Sequence, residues 1–167
     1  MMAATTGEAQ RVAAFIFISS PGTLTPFHFD PDLNILFQIA GSKRFVTFPP
    51  TPPWLPLAKQ EQFHRKEDNL LDWEEGFAAG ETVHQLLPGE ALFVPYKVPH
   101  WVQVEAEPSI SISLTWRTQG SMEQDLAWRC NDWLRLKGIH PALPAAMPGR
   151  PLLKAKGMRL LQKLGLD

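Results

Sequence analysis

Hydrophobic and polar positions run in short extended stretches through the first two-thirds of the chain and then change period. Arg11 to Ser19 reads as a buried strand, ended by turn chemistry at Ser20-Pro21-Gly22. Leu24 to Asp30 is a second extended stretch, its start set by Pro26, and Leu33 to Ile39 is a third. The third is rich in β-branched and aromatic residues and stops at Gly41-Ser42, so Lys43 to Phe48 is expected as its hairpin partner. Strands resume at Thr82 to Leu87, and Pro88-Gly89 turns that run into Ala91 to Val94. His100 to Glu105 and Ser109 to Trp116 form a further pair. The last strand alternates strictly, with Ile110, Ile112, Leu114 and Trp116 on one face and Ser109, Ser111, Ser113 and Thr115 on the other.

The segments between strands read differently. Pro49 to Pro56 holds five prolines in eight positions, which excludes a hydrogen-bonded ladder and predicts an extended loop. Leu57 to Gly80 is mixed and charged, with a helix expected around Asp68 to Phe77. After Gly120 the period becomes helical. Ser121 and Gln124 have capping-box spacing, and Met122, Leu126, Cys130 and Trp133/Leu134 recur on one face until Gly138. A proline-rich linker from Pro141 to Pro151 leads to an amphipathic helix, Leu152 to Leu164. About six to eight strands followed by two helices describe a mainly β protein, a small barrel or jelly roll with a helical appendage. The expected division is a frayed start over residues 1–10, a barrel over 11–120 and helices over 121–167.

Composition narrows the class without changing it. The 167 residues suit one domain, and 44% hydrophobic with 20% charged residues is ordinary for a globular chain. A net charge of -1 offers no electrostatic case for nucleic acid or an anionic membrane surface. Lys154, Lys156, Arg159 and Lys163 read as the solvated face of the last helix. The single cysteine, Cys130, cannot form an intrachain disulfide, so nothing asks for an oxidising compartment. The apolar run Val12 to Ile18 is far shorter than the roughly 20 residues of a membrane span. Only Arg11 precedes it as a basic residue, so a signal peptide is not expected either. The expected location is the cytoplasm.

Candidate chemistry lies in Thr25-Pro-Phe-His28-Phe-Asp30. Side chains two apart on a strand share a face, about 6–7 Å apart, so His28 and Asp30 can converge on one ion. A second histidine from a distant strand would complete a facial triad of two imidazoles and a carboxylate with open coordination positions. His-x-Asp alone is weak evidence. It gains weight in an apolar stretch, where a polar pair is costly to bury without a partner. Of the other four histidines, His64 lies in a charged segment and His140 in a proline-flanked loop, both reading as exposed. His84 has no polar company among its strand neighbours Thr82 and Leu86. His100 opens a strand after Pro88-Gly89 and Pro99 and is the better candidate; His84 stands second.

These residues carry a resemblance. Thr25 to Asp30, then Asn34, Gln38, Gly41 and Lys43-Arg44, then Phe48-Pro-Pro50, resemble the Jumonji-C/cupin-like 2-oxoglutarate oxygenases, including the asparaginyl-hydroxylase group and bacterial cupin-like proteins. A second block, Pro88 to Pro95 with His100 and Ser109 to Trp116, resembles the distal half of the same family. Together the blocks cover most of residues 15–117. The resemblance implies a double-stranded β-helix, or cupin jelly roll, with C-terminal helices, and an iron(II) ion held by His28, Asp30 and His100. It implies 2-oxoglutarate as cosubstrate, with Lys43 and Thr25 on its distal carboxylate and Asn34 near the chelating end. The family position that often carries an amide near the metal falls on Thr115. A polar cavity also reverses the usual reading of the last strand: Ser111, Ser113 and Thr115 would line the pocket and the isoleucine face would pack outward.

The implied activity is that of a 2-oxoglutarate-dependent dioxygenase, a hydroxylase using dioxygen on a protein side chain or a small metabolite. Two rival readings stand beside it: a metal-binding cupin without 2-oxoglutarate, and a truncated, non-catalytic binding or regulatory domain. The second follows from the short lead-in, since only about 24 residues precede Thr25 while relatives carry further elements there. The C-terminal helices resemble the family's dimerising appendage. Trp128, Trp133 and Leu134 serve either a homodimer interface or packing within the chain.

Overall fold

The computed structural model describes residues 7–145 and 149–166, the side chains of residues 64 and 65 excepted. His64, expected at the surface, therefore lies outside the described residues, as do residues 1–6 of the expected frayed start. Eight strands run in order: β1 (Gln10–Ser19), β2 (Leu24–His28), β3 (Leu33–Ala40), β4 (Lys43–Thr47), β5 (Thr82–Leu86), β6 (Ala91–Val94), β7 (His100–Val104) and β8 (Ser109–Arg117). They form two antiparallel four-stranded sheets, β1-β8-β3-β6 and β2-β7-β4-β5. This is the double-stranded β-helix that the strand pattern and the resemblance led us to expect.

The local pairings differ from expectation. Except at β4 and β5, consecutive strands alternate between the sheets, so β4 is no hairpin partner of β3; it pairs with β5 and β7, while β3 pairs with β6 and β8. Nor do β7 and β8 pair with each other. The turn residues are those of hairpins, but here they carry the chain around a corner. Gly41, at φ 64°, sits so close to Pro108 that a Cβ would strike the proline's carbonyl, leaving glycine as the residue that fits.

The barrel unit comprises residues 11–56 and 69–116. Its apolar core holds Leu36, Phe45, Leu86, Val94 and Val102. A second aromatic cluster joins Phe27, Phe48, Trp73 and Phe77 edge-to-face, with ring centroids 5.1–6.0 Å apart. The expectation of a buried first strand fails: Ile16 and Ile18 are 69% and 78% exposed. β1 is an edge strand whose outward face is uncovered among the described residues.

The helix expected around Asp68 to Phe77 lies earlier, as α1 (Leu57–Lys66), directly after Pro56. Residues 69–71 are instead drawn into extended pairing with β2, through Phe29 N–H to Asn69 O and Leu71 N–H to Phe27 O. A short 3-10 helix, Glu75–Gly80, follows. α1 belongs to a helical unit with α2 (Gln119–Leu136) and α3 (Leu152–Leu164). The cap of α2 is Thr118, not Ser121: Thr118 Oγ1 accepts from Ser121 N–H, and Ser121 Oγ accepts from Thr118 N–H. Trp128 is buried inside this unit, and Trp133 Nε1 donates to Leu166 O.

Candidate metal centre

Pro26 has no N–H to give the ladder, and the β2–β7 register slips by one residue across it, between the pairs Thr25↔Val102 and His28↔His100. The bulge sets His28 directly opposite His100, so both imidazoles stand on one face with ring centroids 4.2 Å apart. β2 ends at His28, and Asp30 lies just beyond it, its carbonyl accepting from Lys97 N–H at 3.0 Å. One donor atom from each of His28, Asp30 and His100 lies within 4.8 Å of the others.

The two imidazoles are oriented alike. His28 Nδ1 donates to Pro26 O at 2.8 Å and His100 Nδ1 to Val98 O at 2.9 Å. In the neutral form of each ring this leaves the lone pair on Nε2, and both Nε2 atoms face the carboxylate, at 3.8 Å from Oδ1 and 3.7 Å from Oδ2. These separations are too long for hydrogen bonds. Ligands about 2 Å from a common ion sit about 3–4 Å from one another, so the spacing suits an ion between them. Phe45 stacks on His100 at 4.8 Å, and burial pushes the His100 pKa down to about 3, helped by His28 and opposed by the bond to Val98. A neutral imidazole is a ligand rather than a competitor for protons. Asp30 moves the other way: burial raises its pKa, with His28 partly offsetting the shift. The donor set fits a divalent first-row metal such as iron(II).

The triad opens into a cavity of about 440 Å³, within the usual size of small-ligand sites at about 300–1,000 Å³. All seven residues singled out from sequence line it: His28, Asp30, His100, Thr25, Asn34, Lys43 and Thr115. Lys43 is 5% exposed, its ammonium donates to Ser111 Oγ at 2.7 Å and lies 5.6 Å from the centre of the Phe17 ring, and burial lowers its pKa. Ser113 Oγ donates to Asn34 Oδ1 at 2.6 Å. The serine face of β8 therefore points inward and supplies the hydroxyls that hold Lys43 and Asn34, as the polar-cavity reading anticipated.

His84 stands apart. It pairs with Phe45 across β4–β5, and its Nε2 lies 3.1 Å from Thr47 Oγ1. The Phe45 strand therefore separates it from His100. His140 is exposed, as expected. Sequence reasoning had no role for Asp32, Phe15, Phe17 or Phe45, which also line the cavity. The period-2 alternation of β1 signalled that Phe15 and Phe17 share a face; nothing local signalled which face that was.

The family model described as a cupin-like domain matches residues 2–122. The chain belongs to that family. Among curated relatives of this cupin-like chain, Jumonji C domain-containing protein 5 of Drosophila melanogaster is 35% identical over 107 residues, 60% of this chain and 26% of the relative. Lysine-specific demethylase 8 of Danio rerio is 28% identical over 118 residues, 66% of this chain and 29% of the relative. A cupin superfamily protein from Desulfitobacterium hafniense superposes with a TM-score of 0.41 at 13% identity, over 68% of this chain and 73% of that one. The cupin-like chain thus spans about a quarter of the length of the curated relatives it matches. No helix among the described residues is long and apolar enough to cross a membrane.

Proposed function

We propose that the chain is an iron(II)- and 2-oxoglutarate-dependent oxygenase, a hydroxylase of a protein side chain or small molecule. The observation that carries this reading is the buried Lys43 ammonium, which shares one cavity with the three-ligand metal set. A metal site alone needs no buried cation beside it. A chelating dianion needs one, because burying its far carboxylate without a cation and hydrogen-bond donors is costly. Ser111 holds the ammonium in place, Thr25 adds a hydroxyl to the same carboxylate, and Asn34 and Thr115 face the chelating end. Iron and 2-oxoglutarate, when bound, supply the oxidising chemistry; the protein's part is to orient them, exclude water and hold the substrate. The zebrafish relative is named a lysine-specific demethylase, which supports a protein side chain as the first substrate class to try.

The test is anaerobic titration of iron(II) and then 2-oxoglutarate, followed by the visible charge-transfer absorption of the chelate. The wild type should develop the band, and Asp30→Ala should not. Lys43→Ala should still bind iron(II) while needing about 10–100-fold more 2-oxoglutarate, the worth of one charge-assisted hydrogen bond of about 1.5–3 kcal/mol. A folded wild type that binds iron(II) but never forms the band overturns the cosubstrate assignment.

A further inference from the structure

The net charge of -1 is the balance of two unlike parts. Residues 133–166 carry seven Lys and Arg and no Asp or Glu, while the rest of the chain carries nine against seventeen. Part of this surplus is answered inside the helical unit. Arg135 donates to Glu61 at 2.6 Å and Arg150 to Glu123 at 2.6 Å. Lys154, expected on the solvated face, instead donates to Asn131 Oδ1 at 2.7 Å. Lys156, Arg159 and Lys163 of α3 stay exposed. Screening confines a surface charge to about 8–10 Å, so the net charge of the chain does not decide what meets these three.

A helix packed by one face ordinarily turns its apolar stripe inward and polar side chains outward. α3 has apolar side chains on both sides. Ala155 and Met158 are buried, yet Leu153, Leu160 and Leu164 are 87%, 58% and 60% exposed. At the helical turn these three leucines fall within about 40° of arc, in a row about 16 Å long. Lys156 follows Leu153 by three residues and precedes Leu160 by four, and Lys163 follows Leu160 by three. Each ammonium therefore stands beside the leucine row.

We propose that α3 is a peripheral membrane-binding helix. It lies in the interface of an anionic lipid surface, with Leu153, Leu160 and Leu164 at the acyl boundary and Lys156, Arg159 and Lys163 on the headgroup phosphates. Charge complementarity selects this occupant. A second copy packed row against row would set cations against cations, with no acidic residue in 133–166 to answer them. A nucleic acid would take the cations and leave the leucines in water. An anionic bilayer answers both. The 13 residues of α3 are too few to cross it, so the helix lies flat. The proposal is independent of the oxygenase reading, since none of these residues lines the cavity.

Cosedimentation of the full chain with vesicles tests it. The wild type should bind vesicles of about 30% phosphatidylserine in phosphatidylcholine, bind pure phosphatidylcholine at least about 10-fold more weakly, and come off in about 0.5 M salt. Lys156→Gln/Lys163→Gln should weaken anionic binding about 10–30-fold. Leu153→Ser/Leu160→Ser, which keeps every charge, should weaken it at least about 10-fold with unchanged circular dichroism. A wild type that ignores anionic vesicles overturns the proposal and leaves the face to an acidic protein. Full binding by the leucine variant overturns it too, because attraction to any polyanion would then suffice. So does a lipid-free dimer, seen by sedimentation equilibrium, that the leucine variant abolishes. Should that variant misfold, Leu153→Asp at its 87% exposed site decides: weaker anionic binding supports the proposal, and unchanged binding overturns it.

Discussion

Two carboxylates in this chain sit in shielded surroundings and respond in opposite directions. Glu123, on α2 in the helical unit, is 3% exposed and accepts from Arg150 through Nε at 2.7 Å and Nη2 at 2.6 Å, with Gln119 adding a third bond. The Arg150 hydrogen bonds hold its pKa down at about 2. Asp30, in the barrel, faces two imidazoles instead of a guanidinium, and burial raises its pKa. A shielded carboxylate is costly unless a cation answers it. Glu123 has its cation built into the chain, so its role is structural. Asp30 faces the imidazoles of His28 and His100 instead, a donor set that could hold a metal ion.

The largest break in this comparison comes from neutralising Asp30. Asp30→Asn should weaken iron(II) binding by at least about 100-fold in anaerobic calorimetry, because it removes the one anionic ligand of three. The same substitution should leave the metal-free protein as stable as the wild type or slightly more so by thermal melting, since a poorly solvated charge is gone. If Asp30 were instead a structural carboxylate like Glu123, the melt would fall and metal affinity would hardly move. The next effect is smaller. Ser111→Ala, removing the hydroxyl that accepts from Lys43, should weaken 2-oxoglutarate binding about 5–10-fold, the worth of about 1 kcal/mol, with iron(II) affinity unchanged.

Strand positions were legible because alternation and turn residues are local signals. The bounds of all eight strands lie within one or two residues of the pattern, and α3 coincides with it. Pairing was not legible, because Gly41-Ser42 and Pro88-Gly89 serve a corner between sheets as readily as a hairpin. The segment 69–71 failed for a related reason: its helical composition yields to the open edge of β2. The first strand looked buried because Val12 to Ile18 is apolar, and sequence does not reveal that its outward face is uncovered. At the site, His28 and Asp30 could be named from spacing, His100 from its proline-bounded strand start, and Thr25, Asn34, Lys43 and Thr115 only through the family resemblance. The Phe45 stack on His100 and the Ser111 bond to Lys43 depend on register between strands far apart in the chain, which no local pattern contains.

The Glu123 side of the comparison is sharpened by acid. Its pKa lies below the ordinary 4.5 in the folded protein, so its contribution is fully present above about pH 4.5 and is lost as pH falls through about 2. Glu123→Gln should lower the melting temperature by about 2–4 °C at neutral pH, roughly the effect of 1 kcal/mol in a chain this size. The gap to the wild type should close between pH 4.5 and 2. A gap that persists unchanged at pH 2 would assign the loss to packing rather than to the ion pair with Arg150.

The smallest expected effect separates the histidines. His84 shares the barrel with His28 and His100 and lies on the neighbouring strand pair, yet its nearest polar group is the Thr47 hydroxyl at 3.1 Å, and Phe45 stands between it and the metal set. One strand spacing is about 4.8 Å, so a side chain beyond Phe45 cannot reach an ion bound at Nε2 of His100 without displacing that ring. His84→Ala should therefore change iron(II) affinity by less than about twofold, within the scatter of substitutions that touch no ligand. His100→Ala, on β7 two strands in from β5, should abolish binding. A large loss on His84→Ala with His100→Ala tolerated would reverse the assignment and make the edge strand β5 the source of the third ligand.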